Sequence, residues 1–267
     1  MRVAVMQLRL TSGMRSKNFA VVIDAIRRAA DRDASPELIL LPECFDTTQI
    51  AAGSNMLTSA MCQSFVEGVS AVAREWGVWI ALGHVWAYAD GFVPAATLLD
   101  PDGDAWVKYP PHRHSANERD PAPELEHQWD VMASPIGGVA LRLGGTFAQV
   151  PLPGPDVSEK LDLILVPSTI GATDRHEADI VNLAKAATAY ICVSSTELAD
   201  PGRRDRPASF IMDPNGEIIA RINPAAPPGK STGGHRIVFA DLPIEPRTLA
   251  PMAGGAADFT EDERDRG

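Results

Sequence analysis

The strongest constraint on the fold is a series of short, almost wholly apolar runs with amphipathic segments between them. VAVMQL (3–8), ELILLPE (37–43), VWIALGHVW (78–86), LDLILVPS (161–168) and YICVSS (190–195) are each six to nine residues of mainly aliphatic and β-branched character. Runs of that length and content suit buried strands whose two faces are both covered. Between them lie segments with helical periodicity. Phe19, Val22, Ile23, Ile26 and Ala30 recur with charges interposed. Residues 58–76 repeat the pattern with Ala60, Met61, Phe65, Val69, Val72 and Trp76, and residues 176–190 with Ile180, Leu183, Ala187 and Tyr190. The alternation predicts an α/β layered sandwich, its sheets covered by helices.

Two turns punctuate the strand pattern. DPDG at 100–103 and DPNG at 213–216 each sit between apolar runs and predict hairpins over 94–110 and 208–222, with Gly103 supplying the positive φ of a tight turn. DVMASPIGGVALRLG (130–144) predicts strand, turn and strand, and RIVFADL (236–242) a last strand. Residues 110–128 are rich in Pro, His and charge and read as a long loop. VPLPGPD (150–156) holds three prolines in seven residues, which predicts an irregular segment from 148 to 158. No internal linker separates these elements. The reading is one domain over residues 1–245, followed by an acidic, flexible tail over 246–267.

Composition narrows the function classes. The chain has 267 residues, with 24 Lys and Arg against 35 Asp and Glu, a net charge of −11. That charge opposes a sequence-independent grip on nucleic acid or on an anionic membrane. No run of 18 apolar residues is present, and MRVAVMQLRL reads as a strand rather than a leader. The three cysteines, Cys44, Cys62 and Cys192, are too few and scattered for a disulfide framework or a zinc site. A reducing cytoplasm is the expected compartment.

The order of the motifs resembles the nitrilase, or carbon–nitrogen hydrolase, superfamily. VAVMQL resembles its opening strand and LILLPE its hallmark strand ending in a glutamate, here Glu43. DPDGDAWVKYP resembles the hairpin that leads to an active-site lysine, here Lys108, and NER at 117–119 the segment with a second glutamate, here Glu118. SPIGGVALRLGGTF resembles the strand and elbow around the nucleophile, and LDLILVPS, AKAATAYICVSS and SFIMDPNGEIIA the segments that follow. The resemblance implies a nitrilase-like α-β-β-α sandwich that associates through a helix face into a homodimer or larger oligomer. It implies acyl transfer from an amide or nitrile through a cysteine thioester. One glutamate serves as general base, the lysine stabilises the oxyanion and the second glutamate positions them. No metal and no organic cofactor is implied.

The sequence departs from that pattern at the nucleophile. Gly138, Leu141 and Phe147 fit it, Phe147 as a pocket residue. The cysteine position holds Arg142, and the Asp, Pro and Glu positions beyond it hold Gly144, Ala148 and Gln149. A guanidinium stays protonated and offers no lone pair, so Arg142 cannot attack a carbonyl. Pro110 stands where the family often has a His after the lysine. Substitute nucleophiles are poor. Cys44 follows Glu43 and, on a strand, faces the other way. Cys62 and Cys192 lie on apolar faces and read as core residues. Ser194 and Ser195 lack a G-x-S-x-G elbow. His112, His114 and Glu118 lie near one another in sequence but lack a fourth ligand in register for a metal.

Two functions of different class follow. One is a pseudoenzyme that has lost thiol-dependent amide or nitrile hydrolysis, with Glu43, Lys108 and Glu118 vestigial, and that binds a small ligand or a partner subunit, including an active relative. The other is an active amidohydrolase on a small non-peptide amide with an atypical nucleophile. The first needs only residues that are present.

Overall fold

A computed structural model describes residues 1–11, 13–32, 34–43, 58–88, 91–109, 129, 131–144, 151–168, 174–198, 208–223 and 235–245. The expected strands form: β1 (Arg2–Leu10), β2 (Leu38–Glu43), β3 (Trp79–Tyr88), β4 (Gly91–Leu99), β5 (Ala105–Tyr109), β6 (Met132–Ser134), β7 (Gly137–Leu141), β8 (Leu163–Ser168), β9 (Tyr190–Leu198), β10 (Phe210–Met212), β11 (Ile218–Arg221) and β12 (Arg236–Asp241). The helices are α1 (Arg15–Ala30), α2 (Ser59–Trp76), a single turn α3 (Pro155–Ser158) and α4 (Asp174–Ala187).

The strands run in the order β5-β4-β3-β2-β1-β9-β8-β7-β6, with β12 on β1, β10 on β9 and β11 on β10. β1 and β9 each divide their partners. β1 pairs antiparallel with β12 over Arg2–Gln7, then parallel with β9 over Leu8–Leu10. β9 pairs with β10 over Ile191–Val193 before Thr196–Leu198 reach β1. The sheet therefore curls at this seam and its halves face each other. Val3, Val5, Leu38 and Leu40 meet Leu141, Leu163, Leu165 and Cys192 between them. On one outer face Val22, Ile26, Phe65 and Val69 of α1 and α2 cover Ala4, Met6, Ile39 and Ile80. On the other, Ile180, Leu183 and Ala187 of α4 cover Ile164, Val166 and Ile191. These layers are the expected α-β-β-α sandwich, a single domain.

Local chemistry sets the element ends. Thr58 caps α2, its hydroxyl accepting from the Met61 amide at 3.2 Å, and Gly77 closes it in the left-handed conformation. Both predicted hairpin turns use an aspartate in the same way. The Asp100 carboxylate accepts the Asp102 and Asp104 amides, with Gly103 at φ +82°, and Asp213 accepts those of Asn215 and Glu217. Those bonds hold the Asp213 carboxyl below its ordinary range.

Two boundaries differ from expectation. The last long helix stops at Ala187, because Thr188 turns to φ +52°, and Tyr190 opens β9 instead of ending the helix. The proline-rich stretch is irregular over 151–154 but forms α3 at Pro155, where the first helical position needs no amide proton. Residues 148–150, the whole 110–128 loop and the 246–267 tail lie outside the described residues.

Among the described residues no helix is long and apolar enough to cross a membrane. His235, just before β12, is 1% exposed, and its Nε2 has no partner among the described residues. Burial pushes its pKa down; nearby Asp24 opposes this and Arg28 adds to it. The unfolded chain thus takes up the proton first. Stability from this residue is complete above about pH 6.5 and falls as pH drops below that value. Urea titrations should show this acid-side loss shrinking in His235→Leu; an unchanged pH profile would contradict the burial argument.

Candidate active site

Two expected site positions lie at C-terminal strand ends: Glu43 ends β2 and Arg142 follows β7. Glu43, the last residue of β2, is 7% exposed. Its backbone is fixed from the opposite half of the sandwich, where the Thr196 hydroxyl donates to the Glu43 carbonyl at 2.7 Å. On its other side is Gly83 of β3, its register partner. A Cβ on Gly83 would lie 2.7 Å from Glu43 Cγ, 2.9 Å from Glu43 Cα and 3.0 Å from Pro167 Cβ. Glycine is required here by space rather than by dihedral angle, and it lets β2, β3 and β8 close around the glutamate.

Arg142 follows β7, and its amide donates to the Leu165 carbonyl at 2.9 Å, so it continues the ladder to β8. Two residues on, the Gly144 amide donates to the Pro167 carbonyl at 2.8 Å. Pro167 thus links the two chain ends: its side chain lies by Gly83 and Glu43, and its carbonyl holds the turn after Arg142. A Cβ on Gly144 would sit 2.0 Å from the Ser168 hydroxyl, so the glycine expected at the elbow admits Ser168 into close contact. Arg142 is 2% exposed, and its guanidinium carbon lies 4.4 Å from the centre of the Trp129 ring. A buried guanidinium keeps its charge, and a stacked aromatic face compensates part of its lost hydration.

Lys108 lies on β5, opposite Thr97 of β4. Thr97 is fully buried and meets a residue the sequence reading passed over, His84. His84 Nε2 lies 2.8 Å from Thr97 Oγ1, and Nδ1 lies 3.2 Å from the Val85 carbonyl. A carbonyl can only accept, so in the neutral ring Nδ1 carries the proton and the Thr97 hydroxyl donates to Nε2. His84 is also the neighbour of Gly83. Along the backbone, Glu43 pairs with Gly83, His84 follows Gly83, and Thr97, which meets His84, pairs with position 108. The signal in the sequence was a lone histidine inside the apolar run WIALGHVW, which gave no hint of Thr97.

Glu118, Phe147, Cys44, His112 and His114 lie outside the described residues. Cys62 and Cys192 are free thiols buried in the outer helix-covered core layer and between the sheets. Burial raises both pKa values, Cys62 with slight opposition from Arg15. Ser194 and Ser195 donate to the Met6 and Ala208 carbonyls, so both hydroxyl protons hold backbone together. Among the described residues no three His, Cys, Asp or Glu side chains gather as a metal site.

The fold is that of a carbon–nitrogen hydrolase. A family model for the carbon-nitrogen hydrolases matches residues 2–148, and the chain belongs to that family. Among curated proteins, no sequence matches it significantly. Solved structures match over nearly the whole chain. An amidase from Nesterenkonia sp. superposes with a TM-score of 0.70 at 18% identity, covering 92% of this chain and 91% of that one. A cysteine variant of the Nesterenkonia sp. AN1 amidase in complex with butyramide gives 0.70 and 18%, covering 91% of each chain. A glutamate variant of the same amidase carries the acetamide moiety of fluoroacetamide on its active-site cysteine. It gives 0.69 and 17%, covering 91% of this chain and 90% of that chain. At these identities the likeness defines the fold.

Gly83→Ala tests the tight approach around Glu43. Two of the three contacts involve backbone or a proline ring, which cannot swing aside. The substitution should cost about 1–3 kcal/mol in urea unfolding, as overpacked sites do. Wild-type stability in that variant would show that the strand ends are looser than described.

Proposed function

We propose that this carbon-nitrogen hydrolase family member has lost thiol-dependent amide and nitrile hydrolysis. It acts as a pseudoenzyme that binds a small ligand or a partner subunit. The observation that carries the reading is Arg142. In the motif alignment it takes the place of the nucleophilic cysteine, and it is buried against Trp129 at the end of β7. Replacing a neutral thiol by a guanidinium adds one positive charge. With Glu43, Lys108 and Glu118, the four groups sum to zero. A planar guanidinium grips a carboxylate through two bonds, so Arg142 neutralises Glu43 or Glu118 and leaves no free base.

The family resemblance supports a homodimer or larger oligomer through the face of α4, over an isologous area of at least ~1,000 Å². The free thiols of Cys62 and Cys192 suit a reducing, cytoplasmic setting.

Fluoroacetamide and butyramide provide the direct test, since related amidases bind or react with them. Incubation of the protein with fluoroacetamide should leave its intact mass unchanged, with no adduct mapped to Cys62 or Cys192. Butyramide should release no ammonia. Stoichiometric adduct at any cysteine together with ammonia release would overturn the pseudoenzyme reading in favour of an atypical nucleophile.

The charge argument makes a separate prediction. Glu43→Ala should lose about 3–5 kcal/mol of stability, the cost of stranding a buried cation. Arg142→Cys should remain without ammonia release from butyramide, because Gly144, Ala148 and Gln149 have also replaced the family's elbow residues. Turnover in that single variant would mean the elbow has kept its function.

A further inference from the structure

Beyond any role at a lost nucleophile, we infer that Arg142 is a positioning residue. It clamps Trp129 and, through Trp129, fixes the chain at Pro151 against the end of β7. The inference needs no assignment of position 142 to a former cysteine, so it stands or falls separately from the functional reading.

Three contacts in series carry it. The Arg142 guanidinium lies 4.4 Å from the centre of the Trp129 ring. The same indole turns its Nε1–H to the Pro151 carbonyl, donating at 2.9 Å across 22 residues of sequence. Four residues beyond Pro151, α3 begins, and its Ser158 hydroxyl is 3.0 Å from both the Gly154 and the Ala186 carbonyls. The segment 151–158 is therefore held at one end by Trp129 and at the other by α4. Over 151–154 it has no regular structure of its own to hold it.

The residue types fit this task. The indole is used twice, its face for the cation and its edge N–H for a carbonyl. Guanidinium is planar and weakly hydrated, so it stacks on a ring where an ammonium would keep its water. It also cannot be neutralised by deprotonation, so the clamp persists at any ordinary pH. Trp129 packs against the α4 core beside Val131 and Val157, which gives the ring a fixed backing. The arrangement joins the end of β7, the chain before β6, the proline-rich segment and α4 into one unit beside the candidate site.

Indole hydrogen exchange tests this directly. The Trp129 Nε1–H resonance can be assigned by its loss in Trp129→Phe. In Arg142→Met its exchange should quicken at least tenfold, and in Arg142→Lys by a smaller factor, while the Trp79 indole stays unchanged as an internal reference. In urea unfolding, Arg142→Met and Trp129→Leu should be coupled. Their combined effect on the folding equilibrium should fall about tenfold short of the product of the single effects, about 1.4 kcal/mol. If Arg142→Met does not fold, Arg142→Lys against Trp129→Leu gives the same cycle. Unchanged Trp129 exchange, or additive effects, would show that Arg142 and Trp129 merely lie close. Neither result bears on fluoroacetamide labelling, so the two readings fail separately.

Discussion

Everything at the candidate site hangs on the seam between β1 and β9. Each strand begins inside its own half of the sandwich and ends by pairing with the other, Leu8 with Thr196 and Leu10 with Leu198. Where the strands diverge from their first partners, unpaired backbone must be satisfied by other means. The Ser194 hydroxyl takes the Met6 carbonyl and the Thr196 hydroxyl takes that of Glu43. Glu197 collects Arg236 at 2.9 Å, with Gln7 and Arg9 at 3.5 and 3.8 Å. The polar residues at the ends of these apolar strands are the fittings of the curl.

The curl explains why Glu43 and the chain after Arg142 can be neighbours at all. They belong to different halves, about 100 positions apart in sequence. Pro167 bridges them, with its ring by Gly83 and Glu43 and its carbonyl on the Gly144 amide. A cysteine and a glutamate brought together this way give acyl-transfer chemistry; an arginine at that position offers no nucleophile. The same scaffold thus serves either outcome, and the identity of one side chain separates them. Arg142 stacks on Trp129 and so has packing of its own.

Association remains a matter of chemistry at the outer surface. α4 buries Ile180, Leu183, Ala184 and Ala187 inward, and Glu177 on its flank pairs with Arg221 of β11 at 2.6 Å. Its remaining face is made of small and polar residues, among them Asn182 and Lys185.

The sequence by itself determined the elements and their kind. Apolar runs of strand length, helical spacing of Val22, Ile26, Val69 and Val72, and two aspartate-led turns are local signals, because propensity, burial and turn geometry act over a few residues. The family resemblance marked Glu43 and position 142 as expected site positions. Two local boundaries escaped it, Thr188 and Pro155, since a positive φ at a β-branched residue and a helix opening on proline are set by neighbouring packing. Only the tertiary structure decided which distant groups meet. That Thr196 supports Glu43, 153 residues away, and that Gly83 must lack a side chain beside Pro167 depend on how two half-sheets pass each other. The Trp129–Arg142 and His84–Thr97 contacts each span 13 residues within one half and depend on how its strands pair, and none of these contacts leaves a periodic trace along the chain.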